Sequence, residues 1–151
     1  MENNNGRILF FAYGSLVNPE ALAELCTVAK PLGTARIPHH ALYFTGHSQR
    51  WGGATATIGL APNTDLWGAL YEIDAAGRAA IERAGGLDDY VWAFTAVNDG
   101  NGGQATAGVM CKVRNFERRP PSASYLELLQ AGWEYWGLDG NRMLQAVVPA
   151  T

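Results

Sequence analysis

The sequence predicts one α+β domain, and three observations carry that reading. A short apolar strand near the start breaks into a small-residue turn and a capped helix; two-residue alternation recurs through the middle; helical runs open on Asp74 and on Ser122 or Ser124. At 151 residues the chain fits a single domain, which buries roughly 70% of the surface its unfolded form exposes. Hydrophobic residues make up 48% and charged residues 17%, a globular balance, and 18 glycines foretell many turns. Residues 7–151 are expected to form the domain, preceded by the polar segment 1–6.

The elements follow in order. Arg7 to Ala12 is apolar, aromatic and short, which reads as a buried strand. After the turn at Tyr13, Asn18-Pro19 supplies a cap and a first-position proline for a helix to about Leu25. Thr34–Ile37 and Ala41–Thr45 are expected as two strands parted by Pro38, with His39-His40 marking a surface turn. Thr55 and Thr57 alternate with Ala56, Ile58 and Leu60; Pro62-Asn63-Thr64-Asp65 reads as a turn, and Leu66 to Ile73 as the return strand of a hairpin. Asp74 caps a helix over Ala75–Ala84, with Ile81 on its buried face and Gly85-Gly86 as its stop. Tyr90–Val97 and Thr106–Val113 form a further hairpin. Pro120-Pro121 then leads into a helix carrying Tyr125, Leu128, Leu129, Gly132 and Trp136 at helical spacing, and a last short helix is expected from Asp139.

Several function classes are disfavoured by composition. The net charge is −3 and basic residues are scattered, so the electrostatic footprint of a nucleic-acid binder is missing. No apolar run approaches the roughly 20 residues needed to span a bilayer, and the N-terminus has no basic-then-apolar leader; no membrane partner and a cytoplasmic location are expected. Cys26 and Cys111 lack metal-ligand spacing and read as free thiols. There is no phosphate loop, dinucleotide fingerprint or metal cluster, so no cofactor and no metal are expected. His39, His40 and His47 are read as non-catalytic, and no nucleophile-elbow pattern supports a Ser15-based triad.

The turn Tyr13-Gly14-Ser15-Leu16 carries the first chemistry. A glycine lets the chain bend without a Cβ penalty, Ser15 adds a hydroxyl, and consecutive amides can converge on an anion or a developing oxyanion. Four further segments accompany it in order: Arg50-Trp51-Gly52-Gly53-Ala54-Thr55-Ala56-Thr57-Ile58; Leu66-Trp67-Gly68-Ala69-Leu70-Tyr71; Gly86 followed by Tyr90; and Pro120-Pro121-Ser122-Ala123-Ser124-Tyr125-Leu126 with Gly132 and Gly137-Leu138. On these segments the chain resembles the gamma-glutamylcyclotransferases, from about residue 7 to about residue 140.

The resemblance implies a small mixed β-barrel with flanking helices. It also implies conversion of a small gamma-glutamyl amide to 5-oxoproline and a free amine, the substrate's own α-amine attacking its γ-carbonyl. Tyr13, Gly14, Ser15, Leu16 and Tyr125 are the substrate-binding residues it implies. One position departs from the pattern: where the family has its acid/base Glu, this chain has Gly85. If cyclisation occurs, the proton carrier is expected from Glu82, Asp88 or Asp89. Glu82 lies nearly one helical turn back, while Asp88 and Asp89 lie where the chain re-enters the sheet. The alternative is a relative that keeps the pocket to bind a carboxylate-bearing metabolite or to run a different reaction. The expected partner is a small molecule, and Trp133 and Trp136, three residues apart, leave a homodimer open.

Overall fold

The computed structural model describes residues 6–140, and the short helix expected from Asp139 falls mainly outside that range. Five strands close into a barrel in the order β1-β3-β2-β4-β5. They are β1 (Ile8–Ala12), β2 (Ala29–Ser48), β3 (Gly53–Ile73), β4 (Tyr90–Asp99) and β5 (Gln104–Lys112). Three helices flank them: α1 (Pro19–Ala23), α2 (Ala75–Gly86) and α3 (Ala123–Tyr135). This is the mixed α+β barrel expected above.

Apolar β1 is buried because it sits between two neighbours. It runs antiparallel to β3, from Ile8 opposite Ile73 to Ala12 opposite Ala69, and parallel to β5, with Phe10 opposite Gly108. Gly108 is required there, since any Cβ would run into the Trp92 indole that stacks on Phe10 at 5.6 Å. A strand so flanked has no edge, and its side chains enter the core with Tyr71, Leu42 and Trp133.

The expected middle strands need correction. Thr34–Ile37 and Ala41–Thr45 are parts of one strand, β2, and the segments either side of Pro62–Asp65 are parts of one strand, β3. These long strands pair with each other, so the hairpin turns at residues 48–53 and not at Pro62-Asn63-Thr64-Asp65. Pro38 lies opposite Asp65 and His40 opposite Leu60, and the register shift between them is a bulge. His39 and Asn63 take left-handed backbone angles there, φ 62° and 64°, which turn the ribbon without ending it. The Asn63 amide donates to His39 Nδ1 at 3.3 Å, so the two deviations support each other. The His39-His40 pair thus belongs to a strand bulge and not to a surface turn between strands.

The helix caps follow the sequence. The Asn18 side chain accepts from the Glu20 amide at 3.0 Å, Asp74 from Gly77 at 2.8 Å, and Ser122 from Tyr125 at 3.3 Å. α3 buries Tyr125, Leu129, Gly132 and Trp133, and Trp136 donates its indole N–H to the Val17 carbonyl at 3.0 Å. Trp133 and Trp136, which caps the helix, therefore both pack on their own chain.

The start of α3 is clamped onto β3, which fixes where Tyr125 points. The Ala54 amide donates to the Pro120 carbonyl at 3.2 Å, and a Cβ on Gly53 would lie 2.7 Å from the Ser122 nitrogen. Backbone cannot yield as a side-chain tip can. Gly53→Ala is therefore expected to destabilise the fold by about 1–3 kcal/mol, read as a lower denaturant midpoint with unchanged slope.

Candidate active site

One cavity of about 110 Å³ collects most of the residues singled out from sequence. Its first wall is the end of β1 and the following turn, Tyr13, Gly14, Ser15 and Leu16. The chain turns because Ser15–Val17 winds into a single 3-10 turn closed by the Val17 amide on the Gly14 carbonyl at 3.0 Å. The first N–H groups of such a turn have no acceptor within it, so this wall offers donors.

Tyr125 forms a second wall from α3. Its hydroxyl oxygen accepts from the Ala56 amide at 2.9 Å, leaving the hydroxyl proton to point elsewhere. A Cβ built on Gly14 would come within 3.6 Å of that hydroxyl, so turn and phenol face each other closely. The ring is held edge-on by Trp51 at 5.3 Å and Phe44 at 6.3 Å. Trp51 and Arg50 line the cavity as well, with the Arg50 guanidinium 5.0 Å from the Trp51 ring centroid.

The third wall holds Gly85, Asp88 and Tyr90. Asp88 is the one carboxylate among the described lining residues, and its Oδ2 accepts from the buried Ser48 hydroxyl at 3.0 Å. Tyr90 donates its hydroxyl to the Ala56 carbonyl, which places it beside Tyr125. Gly85 is packed tight: a Cβ there would lie 2.5 Å from Met110 Cε and 3.1 Å from Tyr90 Cβ.

The other two candidate acids lie elsewhere. Glu82 is half exposed and pairs with Arg78 along α2 at 3.3 Å, outside the cavity lining. Asp89 has a left-handed φ of 71° and turns its carboxylate to Asn115 Nδ2 at 2.6 Å and Arg114 at 3.7 Å, pinning the segment after β5. The two adjacent aspartates thus face different neighbours. None of His39, His40 and His47 lines the cavity. Tyr90, Ser48 and Met110 were not among the site residues expected from sequence; the available signal was an aromatic residue opening a strand two positions after Asp88.

Burial pushes the Tyr13, Tyr90 and Tyr125 phenols well above the ordinary tyrosine value, so they stay neutral donors through the alkaline range. Tyr13 uses its proton on the Met110 carbonyl at 2.5 Å, which joins the turn to β5. A phenol whose folded pKa is raised contributes stability that is complete below the unfolded value near 10 and is lost as pH rises beyond it. Unfolding free energy is therefore expected to fall above about pH 10, by up to about 1.4 kcal/mol per pH unit for each such phenol. Urea titrations at about pH 9 and about pH 11 check this, and equal midpoints would contradict it.

Among the described residues no His, Cys, Asp and Glu group could hold a metal, and no helix is long and apolar enough to cross a membrane.

No protein-family model matches the chain. Curated relatives do: the gamma-glutamylcyclotransferase of Homo sapiens is 25% identical over 150 residues, covering 93% of this chain and 79% of that protein. That of Mus musculus is 28% identical over 157 residues with the same coverage. Among solved structures, a gamma-glutamyl cyclotransferase superposes with a TM-score of 0.85 at 26% identity, covering 95% of this chain and 89% of that one. A yeast gamma glutamyl cyclotransferase specific to glutathione shares the fold at a TM-score of 0.51 and 14% identity. The chain thus has the gamma-glutamylcyclotransferase fold and is related in sequence to proteins of that name.

Proposed function

We propose that this protein is a cyclotransferase acting on a small gamma-glutamyl amide, with Asp88 as the proton carrier in place of the acid that Gly85 lacks. The observation that carries this is the position of Asp88: a carboxylate in the same small cavity as the Tyr13–Leu16 turn and the Tyr125 hydroxyl. About 110 Å³ suits an amino-acid-sized group, well below the roughly 300–1,000 Å³ of sites for larger ligands.

The chemistry follows from these groups. The turn amides and the Tyr125 hydroxyl hold the substrate folded, with its α-nitrogen against its γ-carbonyl, which replaces a bimolecular encounter by an intramolecular one. Asp88 takes a proton from the α-ammonium, freeing the lone pair to attack. The new C–N bond forms, the carbonyl oxygen becomes an oxyanion, and neutral donors stabilise it. As the oxyanion collapses, the amide C–N bond breaks. Asp88 gives that proton to the departing nitrogen and then takes the second proton from the attacking nitrogen, which bond formation had left positively charged, and passes it to the released amine, giving 5-oxoproline and a protonated free amine.

Incubating the purified protein with gamma-glutamyl dipeptides and gamma-glutamyl amines, with mass-spectrometric detection of 5-oxoproline, tests the reading. Product from at least one substrate supports it, and none across the panel refutes it. The second reading, a pocket that binds without this chemistry or runs another reaction, draws on the lack of any side chain at Gly85. Because Met110 fills that space, a carboxylate is restored by Gly85→Glu together with Met110→Ala. Gain of cyclisation in that variant from an inactive parent favours the second reading.

A further inference from the structure

Among the described residues the Asp88 carboxylate has one hydrogen-bond tether. The Asp88 backbone is fixed, since its amide donates to the Gly85 carbonyl at 2.9 Å, but its chain neighbours do not guide its side chain: Leu87 is 87% exposed, and Asp89 turns to Asn115 and Arg114. The tether is Ser48, the last residue of β2, which is 1% exposed. Its hydroxyl donates to Asp88 Oδ2 at 3.0 Å and accepts from the Trp51 amide at 3.3 Å. The Ser48 carbonyl accepts from the Gly52 amide at 2.8 Å, so Ser48 holds the β2–β3 turn by side chain and backbone together. That turn carries Arg50 and Trp51 into the cavity lining, where the Trp51 ring meets the Tyr125 ring at 5.3 Å. One buried hydroxyl thus joins the carboxylate of one wall to the aromatic pair of another. A hydroxyl has a single proton to give, and a carboxylate takes it here, which is the stronger kind of hydrogen bond.

We propose that Ser48 is a positioning residue for Asp88: its buried hydroxyl holds Oδ2, sets the carboxylate against the Trp51–Tyr125 wall, and leaves Oδ1 to exchange the proton with the substrate nitrogen. The kinetic consequence rests on Asp88 being the proton carrier, whereas the orientation of its side chain does not. A carboxylate turns about two side-chain bonds, and proton transfer needs it within about 2.6–3.2 Å of the nitrogen. Misplacement by about 1 Å can cost on the order of 100-fold in rate. If Ser48 served only the turn, through the Trp51 amide, its loss would disturb substrate contacts whether or not residue 88 can carry a proton. The two roles therefore part when residue 88 is made unable to titrate.

The test is a double-mutant cycle on the full chain with Ser48→Ala, Asp88→Asn and the two combined, read as kcat and KM for 5-oxoproline release. Ser48→Ala is expected to lower kcat about 10- to 100-fold with KM within about threefold, and to change the residual rate of the Asp88→Asn protein by less than about threefold. An equal fold loss in both backgrounds, or a kcat of Ser48→Ala within about threefold of the original, overturns the proposal. Ser48→Cys, a weaker donor of similar shape, takes the place of the Ala variant if that protein does not fold, and is read by the same comparison. Absence of 5-oxoproline release by the unaltered protein would instead refute the functional reading. Crystal structures of the unaltered and Ser48→Ala proteins then decide the positioning: the Asp88 carboxylate is expected to turn to another rotamer or to spread over several, and an unchanged Asp88 side chain overturns the proposal.

Discussion

Asp88→Asn is expected to lower the rate of 5-oxoproline release by about 100- to 10,000-fold while leaving KM within a fewfold of its original value. The amide is nearly isosteric with the carboxylate, and its oxygen still accepts from the Ser48 hydroxyl that now lies 3.0 Å from Oδ2, so binding geometry is retained. Its capacity to take and return a proton is not. Glu82→Gln should keep most of the activity, because Glu82 spends its charge on an exposed pair with Arg78, a pair worth well under 1 kcal/mol. Asp89→Asn should act on stability more than on chemistry, since its carboxylate holds Asn115 and Arg114. Steady-state kinetics on the three variants reads these outcomes separately. Full activity in Asp88→Asn with loss in Glu82→Gln would move the proton carrier onto α2.

Tyr125→Phe is expected to reduce kcat/KM by about 100- to 1,000-fold and to cost about 1–3 kcal/mol of stability. Both effects come from one oxygen. It accepts from the Ala56 amide at 2.9 Å, so its loss leaves a buried donor unsatisfied, and its proton is the donor available to the substrate. The ring itself stays in place, because the edge contacts to Trp51 and Phe44 do not depend on the hydroxyl. A KM-against-kcat split then tells what the proton holds. A fall mainly in kcat assigns it to the developing oxyanion, a rise mainly in KM to the substrate carboxylate, and a rate within about threefold of the original contradicts a role in the site.

Local rules made the ends of the fold legible. Asn18-Pro19, Asp74 and Ser122 each cap a helix where a short polar side chain precedes a helical run, and apolar β1 is buried on both sides. The long β2–β3 ribbon was not legible. Pro38 and Pro62-Asn63 are ordinary strand breakers, yet here two irregularities on facing strands coincide, and the ladder resumes beyond them. Nothing within either segment alone announces that coincidence. The resemblance carried the barrel itself, because closure by β2 on β4 rests on the pairs Ala35 with Asp99 and Arg36 with Asn98, a nonlocal match.

The site divides in the same way. The turn Tyr13–Leu16 and Tyr125 stood out as chemistry-bearing residues in matched segments, and they meet in one cavity. The choice among Glu82, Asp88 and Asp89 depended on directions that spacing does not give. Glu82 sits on the exposed flank of α2, while a left-handed φ at Asp89 turns its carboxylate to the segment after β5.

Gly85 and Asp88 line the same wall of the cavity, and of the two only Asp88 carries a carboxylate. At Gly85 a Cβ would lie 2.5 Å from the tip of Met110 and 3.1 Å from Tyr90 Cβ, and the carboxylate among the described cavity residues comes from Asp88, where the chain has left the helix. The most direct test is a crystal structure of the Asp88→Asn protein with an uncleaved gamma-glutamyl dipeptide. The account predicts the γ-glutamyl group in the cavity, its carboxylate or carbonyl oxygen on the Tyr13–Leu16 amides and Tyr125, and its α-amine about 2.6–3.2 Å from the residue-88 side chain. A dipeptide bound elsewhere, or with its α-amine turned away from residue 88, would contradict it.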